Sequence, residues 1–401
     1  MNDKYRGSIK PKNPQYLRDA NRAEILRYLV TKGTASRIEL SKNLKLTKMG
    51  ISKIVSELQQ DHLIEEGGII NETVNQQTGS YSGRKPTAIY IPDFRINAIG
   101  ISISRYQING IAADIKGNIF YSEKVTLPVG TNNEKFTDLI IELIDKIIAA
   151  NSNTEFIGIG IASIGPLDIY RQRILNPPNF RDIRHVNIGD ILREKYSLPV
   201  FLDNDMNTVA LAEHLYGIAK DAGNIVYLGI GSGVGAGVIV NGHMLHGSGG
   251  YAGEIGHISI QSDGPKCSCG RNGCFELYTN TISLLQNTGA ASVEKLLEEL
   301  SLNPVDESLQ QIVDNYIQAV LNGLVTIVNI FDPEIVIIGD EGAFLVSPYL
   351  KQLEDEMNTL MFQNGSQKIT LAVSSFGKSA PLVGAAATVF QNVFNGMLPV
   401  H

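Results

Sequence analysis

The hydrophobic pattern of this chain changes its period near Asn97. Before that residue, apolar side chains recur at the spacing of amphipathic helices. After it, short β-rich runs come first and then alternate with helical segments. Three strands followed by helix–strand alternation, occurring twice, predict a two-lobed α/β domain over residues 92–401, with residues 1–91 as a separate domain. The length of 401 residues accommodates both cores.

The strands predicted for the first lobe are short and closely spaced. Their β-rich composition predicts them at residues 98–103, 108–115 and 119–126. Asn109-Gly110 and the segment 116–118 have the composition of turns, so the chain is predicted to reverse at both places.

The first domain is predicted to contain three short helices. Residues 21–32 and 36–44 supply two of them, and Thr47 can N-cap the third because its hydroxyl accepts a backbone N–H. The third helix has an apolar face at i, i+3, i+4 and i+7: Ile51, Ile54, Val55 and Leu58. Such an arrangement is typical of a helix-turn-helix, whose last helix places its first turns in the major groove of DNA.

A polar hairpin after the third helix predicts a winged form of this domain. Residues 67–86 are rich in Gly, Ser, Asn and Gln and end in a basic pair, and extended residues 87–91 follow. The predicted DNA-binding residues lie at the start of the third helix and near the hairpin tip: Thr47, Lys48, Met49, Ser52, Lys53, Arg84 and Lys85. The alternatives are a three-helix protein-binding module and a basic pair that only solvates a linker.

The charge is distributed unevenly along the chain. Residues 1–60 carry 13 Lys+Arg and 5 Asp+Glu, although the whole chain has a net charge of -7. A basic end on an acidic chain indicates a polyanion partner, and a solvated surface is the alternative. No apolar run approaches the roughly 20 residues that span a bilayer, and no apolar leader indicates secretion. We therefore expect a cytoplasmic protein that binds double-stranded operator DNA and no membrane.

The cysteines indicate a metal site. All three lie within eight residues, from Cys267 to Cys274. An odd, clustered set in a cytoplasmic protein is typical of metal ligation rather than of disulfides. Three thiolates and one imidazole make the closed tetrahedral set of a structural Zn²⁺ site, predicted from His257, Cys267, Cys269 and Cys274. Free, buried thiols are the alternative.

Four segments of the chain resemble the ROK family, which contains repressors and sugar kinases. They are Gly-Glu-Ile-Gly-His at 253–257, the cysteine segment 267–276, Leu-Asp-Asn-Asp at 202–205 and the glycine-rich run 229–237. The resemblance implies an actin-like, ribonuclease-H-like domain of the sugar-kinase type, with a zinc loop near residues 257–276. Together with the helix-turn-helix and Gly-Arg-Lys-Pro at 83–86, the chain resembles the xylose-operon repressor branch.

The resemblance also implies a monosaccharide effector. Carboxylates form strong charge-assisted hydrogen bonds with vicinal sugar hydroxyls. The implied sugar-binding residues are Asn204, Asp205, Glu254, His257, Glu276, Gly233 and Asn179. His257 would ligate zinc through one ring nitrogen and reach the sugar through the other. The alternative role of Asp205 is that of a carboxylate stabilising a helix N-terminus.

A ROK kinase uses the carboxylate equivalent to Asp205 as the base that deprotonates the sugar hydroxyl. Two other parts of the kinase pattern are altered here. The Asp-x-Gly phosphate loop has Ser102 and Ser104, and the Gly-Gly turn at the adenosine has Asp340 and Glu341. Lost Mg²⁺–phosphate positioning and added negative charge both disfavour a nucleotide. We therefore predict no catalytic residue and no enzymatic activity, with a sugar kinase and a protein-interaction scaffold as alternatives.

The predicted function is repression of transcription that responds to a sugar. A small winged domain reads few base pairs, so we expect a homodimer, or a dimer of dimers, on a palindromic operator. A xylose-like or another monosaccharide is expected to release it.

Overall fold

The computed structural model describes residues 14–69, 86–178, 180–302, 307–362 and 367–400. Its N-terminal unit contains helices α1 (Pro14–Lys32), α2 (Arg37–Asn43) and α3 (Lys48–Gln60) and the antiparallel strands β1 (Glu65–Ile69) and β2 (Thr87–Tyr90). The predicted cap of α3 is confirmed, since the Thr47 hydroxyl accepts the Gly50 N–H at 3.1 Å. Helix α1 begins at Pro14, earlier than predicted, because proline is favoured in a first helical turn.

The first lobe is built on a five-stranded sheet with the order β5-β4-β3-β6-β9. Strands β3, β4 and β5 are antiparallel neighbours, and β6 and β9 run parallel to β3. Its elements are β3 (Asn97–Ile103), β4 (Gln107–Asp114), β5 (Ile119–Thr126), α4 (Asn133–Ala150), β6 (Phe156–Ser163), β7 (Leu167–Asp168), β8 (Arg173–Ile174), α5 (Ile188–Tyr196) and β9 (Val200–Asn204).

The turn predicted at Asn109-Gly110 is wrong. Both residues lie inside β4, paired with β3, and the chain reverses before Gln107 instead. Gly110 allows α4 to approach the sheet closely, since a Cβ there would lie 2.7 Å from Ile147 Cδ1. Tertiary packing, rather than turn formation, explains this glycine.

The second lobe repeats the plan of the first with the order β12-β11-β10-β13-β14. Strands β10, β11 and β12 are antiparallel neighbours, and β13 and β14 run parallel to β10. Its elements are β10 (Ile225–Ile230), β11 (Val234–Val240), β12 (His243–Met244), α7 (Glu276–Thr279), α8 (Thr281–Thr288), α9 (Val293–Leu302), α10 (Glu307–Phe331), β13 (Ile335–Gly339), α11 (Asp340–Val346), α12 (Leu350–Leu360) and β14 (Thr370–Val373). The predicted α/β class and its repeated arrangement are confirmed.

Two helices connect the lobes. Helix α6 (Asp205–Leu215) packs on β10 and β11, and α13 (Ala380–Phe394) packs on β3 and β6. The two helices also pack on each other, so closely that a Cβ at Gly384 would lie 2.2 Å from the Thr208 carbonyl oxygen. A change at the start of α6 can therefore reach α13 by direct contact.

The N-terminal unit packs against the first lobe and the chain terminus. Leu26 and Leu29 share one buried cluster with Phe390 and Phe394 of α13. The domain boundary predicted after residue 91 falls in the connection between β2 and β3. The buried cluster contains residues from both sides of this boundary. The Arg22 guanidinium donates to the Val400 carbonyl at 3.1 Å and contacts the Asp61 carboxylate just after α3. Arg22 of α1 thus links Val400 with the end of α3.

Candidate functional site

The end of β9 and the first turn of α6 form one wall of the candidate ligand site. Asn204 caps α6, with its side-chain oxygen accepting the Met206 N–H at 2.9 Å. Asp205 Oδ1 accepts the same N–H at 3.0 Å. Both side chains thus accept a hydrogen bond at the N-terminus of α6. This contact agrees with the alternative role of Asp205 as a carboxylate that stabilises the helix N-terminus.

The Asp205 carboxyl is buried among other acids. Burial, followed by the charge of Asp340 and that of Glu254, raises the pKa of Asp205 to about 7. Burial and the charge of Glu341 raise the pKa of Asp340 to about 6. Asp340 has a left-handed backbone with φ 57°, which a Gly-Gly turn would adopt without strain. A carboxyl with a pKa near neutrality is typical of functional sites.

The opposite wall comes from the second lobe. Glu254 precedes a short 3₁₀ turn that ends at His257, and Glu276 begins α7. Burial raises the pKa of Glu254, His257 lowers it and Glu276 raises it, so the three side chains lie close together. Glu276 Oε2 accepts the Val234 N–H at 2.9 Å and would lie 3.3 Å from a Cβ at Gly233.

The structure therefore brings together most of the residues implied for sugar binding. One polar cluster, joined by mutual charges or contacts, contains five of them: Asp205, Glu254, His257, Glu276 and Gly233. Asn204 precedes Asp205 in the chain. Asn179 lies outside the described residues. Asp340 joins the cluster, although in the sequence it marked only a departure from the kinase pattern.

The predicted metal ligands converge. One ligand atom from each of His257, Cys267, Cys269 and Cys274 lies within 4.8 Å of the others. The Sγ atoms of Cys269 and Cys274 are 3.5 Å apart, and Cys267 Sγ is 3.7 Å from His257 Nδ1. Ligand atoms on a tetrahedron with metal–sulfur bonds of about 2.3 Å lie about 3.8 Å apart, so the cluster can hold a metal ion.

The local fold explains this convergence. The Cys267 N–H donates to the Arg271 carbonyl at 2.8 Å, which closes a tight loop around the cysteines. Cys267 and Cys274 are buried, whereas Cys269 is exposed, which argues against a set of buried thiols. Hydrogen bonds from the Arg271 backbone and side chain lower the pKa of Cys269 to about 6, which favours the thiolate that a metal binds.

The segment that follows β3 and the glycine-rich run 229–237 face each other across the lobes. Arg105, after β3, approaches Ser232, between β10 and β11, with Nη1 and Oγ 3.4 Å apart. Asp340 and Glu341 lie against the second segment, since a Cβ at Gly229 or at Gly231 would be 2.8 Å from one of their carboxylate oxygens. The two acids thus occupy space beside the glycine-rich run.

The N-terminal unit presents a separate candidate surface. Lys48, Met49, Ser52 and Lys53 are exposed on α3, and Met49 retains 84% of its accessible surface. The apolar face predicted for α3 is buried: Ile51, Ile54, Val55 and Leu58. Arg84 and Lys85 lie outside the described residues. Among the helices described, none is both long and apolar enough to cross a membrane.

One contact between the lobes was missed by the sequence analysis. His246, in the loop after β12, lies 2.7 Å from Asp203 at the end of β9, measured between Nε2 and Oδ2. The position of Asp203 next to Asn204 was the available signal, but no local pattern connects it with a histidine so distant in the chain.

Comparisons with known proteins agree with this architecture. The ROK family pattern matches residues 98–392. The xylose repressor of Bacillus subtilis (strain 168) is 30% identical over 385 residues, which cover 94% of this chain and 96% of the repressor. The DNA-binding transcriptional repressor Mlc of Escherichia coli (strain K12) is 25% identical, with 98% of each chain covered.

Solved structures show the same fold. A ROK family transcriptional regulator, homologous to the E. coli Mlc protein, superposes with a TM-score of 0.80 at 23% identity and covers 96% of this chain and 98% of the regulator. The ROK hexokinase of Thermus thermophilus superposes with a TM-score of 0.66 at 27% identity and covers 74% of this chain and 99% of the hexokinase.

Proposed function

This chain belongs to the ROK family, and on that premise we propose that it is a sugar-responsive transcriptional repressor. The extent of the similarity carries the proposal. The two repressors align with 94% and 98% of this chain, whereas the hexokinase covers 74%. The family match begins at residue 98. The alignments with the two repressors extend to the N-terminal side of this residue and therefore include the N-terminal unit.

In this proposal the N-terminal unit is a winged helix-turn-helix within a domain of residues 1–91. Helix α3 would enter the major groove, with Lys48, Met49, Ser52 and Lys53 towards the bases and Thr47 at its start. Arg84 and Lys85 would contact phosphates or the minor groove near the wing tip. The exposure of the four α3 side chains supports this assignment.

The polar cluster between the lobes would bind a xylose-like or another monosaccharide. Asp205, Glu254 and Glu276 would accept hydrogen bonds from sugar hydroxyls, with Asn204, Gly233 and Asn179 lining the same site. His257 would contribute Nε2, since its Nδ1 lies on the side of Cys267. Burial strengthens such bonds, because no water competes for the acceptors.

The ion that we propose for the Cys3His cluster is Zn²⁺, with a structural role. Three thiolates and one imidazole suit this ion and leave no open coordination position. When bound, it would fix the loop that runs from His257 to Glu276, so its loss is expected to weaken both folding and sugar binding.

A sugar kinase is the competing function, because Asp205 matches the catalytic base of that branch. Two altered segments oppose phosphoryl transfer: serine at residues 102 and 104, and the acids Asp340 and Glu341 beside the glycine-rich run. A coupled assay with Mg-ATP and several sugars separates the two functions. Turnover near the usual range of roughly 1–100 s⁻¹ would make the kinase the better description.

Footprinting on DNA from the regions upstream of its own gene and of neighbouring sugar genes tests the repressor directly. We expect protection of a palindrome whose half-sites lie about one or two helical turns apart, as a homodimer or dimer of dimers requires. D-xylose, D-glucose and N-acetylglucosamine are added in turn, and one of them should release the DNA. A chain without residues 1–91 is the control. No protected site with either protein would contradict repression and favour an interaction scaffold.

A further inference from the structure

A histidine and an aspartate connect the two lobes beside the proposed sugar site. His246 belongs to the second lobe, in the loop that follows β12, and Asp203 ends β9 in the first lobe. Their Nε2 and Oδ2 atoms are 2.7 Å apart, and the exposed fractions of their side chains are 32% and 16%. Because solvent reaches both groups only in part, water and salt screen this contact less than they screen an ion pair at the surface.

The other oxygen of Asp203 holds the first turn of α6. Oδ1 accepts the Asn204 N–H at 2.7 Å and the Asn207 side-chain amide at 2.8 Å. Asn207 is buried, and its own side-chain oxygen has no hydrogen-bond partner in the described part of the chain. The Asp203 carboxylate therefore orients the residues on both sides of Asp205.

The loop that carries His246 is docked on the first lobe at a second point. The Tyr170 hydroxyl donates to the Gly247 carbonyl at 2.9 Å, and Gly250 packs against Ile169. The loop folds back on itself, since the Ala252 N–H donates to the His246 carbonyl at 3.2 Å, and it continues directly into Glu254. A shift of His246 would therefore displace the Glu254 wall.

The electrostatics favour the contact. Burial lowers the pKa of His246, but the hydrogen bond with Asp203 and the charge of Asp203 outweigh this effect and raise the pKa overall. Asp203 therefore favours the protonated, positively charged form of His246.

We propose that His246 and Asp203 are a pair of positioning residues that fixes the Asp205 wall and the Glu254 wall relative to each other and so prepares the site for its ligand. The inference rests on the proposed sugar site for its effect on affinity, but the ordering of the two walls is a property of the free protein. Without the pair, a ligand must order both walls itself, and this cost reduces its affinity.

Hydrogen exchange of the free, full-length protein tests the ordering. In His246→Ala we expect faster exchange at residues 204–207 and at 245–252 together, although the former lie in the other lobe. His246→Gln should restore much of the protection, because its amide can still donate to Asp203. His243→Ala is the matched control, since His243 is exposed in β12, just before the same loop. Unchanged exchange at 204–207 in His246→Ala would overturn the proposal.

Titration calorimetry with D-xylose, D-glucose and N-acetylglucosamine tests the effect on affinity. For the sugar that binds, Asp203→Ala and His246→Ala should each weaken binding by about ten- to a hundredfold. Asp203→Ala also removes the hydrogen bonds of Oδ1 to Asn204 and Asn207. The double variant should therefore be little weaker than Asp203→Ala alone, because that variant has already lost the contact with His246. Independent, multiplying effects would contradict the pair. If none of the sugars binds the wild type, the proposed effector class fails, and the exchange experiment still decides whether the pair orders the walls.

Discussion

Asp205→Asn is predicted to stabilise the ligand-free protein above neutral pH while it weakens sugar binding. Burial, with the neighbouring charge of Asp340, raises the pKa of Asp205 from its ordinary value of 3.8 to about 7. The folded state thus favours the protonated carboxyl more strongly than the unfolded state does. The free energy of unfolding therefore falls as the pH rises from about 4 to about 7.

The magnitude follows from the shift. About three pKa units, at about 1.4 kcal/mol each, amount to about 4 kcal/mol. About 2 kcal/mol of this penalty develops between about pH 5.5 and pH 8. Asparagine has nearly the same shape, carries no charge and keeps an oxygen for the Met206 N–H, which Asp205 accepts at 3.0 Å. The advantage of the variant should therefore be about 2 kcal/mol larger at the higher pH.

Urea unfolding of both proteins without sugar, at the two pH values, measures this difference. Asp138→Asn, an exposed substitution on α4, is the matched control and should show no such dependence. Calorimetry with the releasing sugar should show a loss of about 1.5–3 kcal/mol in Asp205→Asn, because an amide accepts less strongly than a carboxylate. A variant that is less stable by the same amount at both pH values would refute the reasoning and leave Asp205 as a helix-terminal charge.

Three further predictions concern other parts of the molecule. Cys274→Ser should reduce the zinc measured by elemental analysis after purification without added metal to less than about half an equivalent, and full occupancy would contradict the ligand set. Lys53→Ala should weaken operator binding by about 1–3 kcal/mol in footprinting titrations, whereas Lys146→Ala, exposed on α4, should not. Equal effects would exclude the groove contact. Arg22→Gln should lower the free energy of unfolding by about 1.5–3 kcal/mol and speed hydrogen exchange in α3, and unchanged exchange there would show that α3 does not depend on Arg22.

Local patterns predicted the elements whose stability is local. The buried face of α3 and its Thr47 cap followed from spacing and side-chain chemistry, and the candidate metal ligands followed from the clustering of the cysteines. The turn predicted at Asn109-Gly110 was wrong, because Gly110 is needed for the packing of α4 on the sheet. A short stretch of sequence does not contain the residues of α4 and so cannot indicate this packing. The contact between His246 and Asp203 joins distant segments, so no periodicity reports it. The cluster shared by Leu26 and Phe390 escaped prediction for the same reason.

The contact of Arg22 with Val400 has a consequence for synthesis on the ribosome. Helix α1 precedes α13 by most of the chain, so the residues that complete its surroundings are translated much later. At about 5–20 residues per second, the N-terminal unit waits roughly 15–60 s for α13 and the residues after it. A nascent chain, or one cut short by a premature stop codon, therefore lacks this support for α1 and α3. The final arrangement of the N-terminal unit thus depends on translation through Val400.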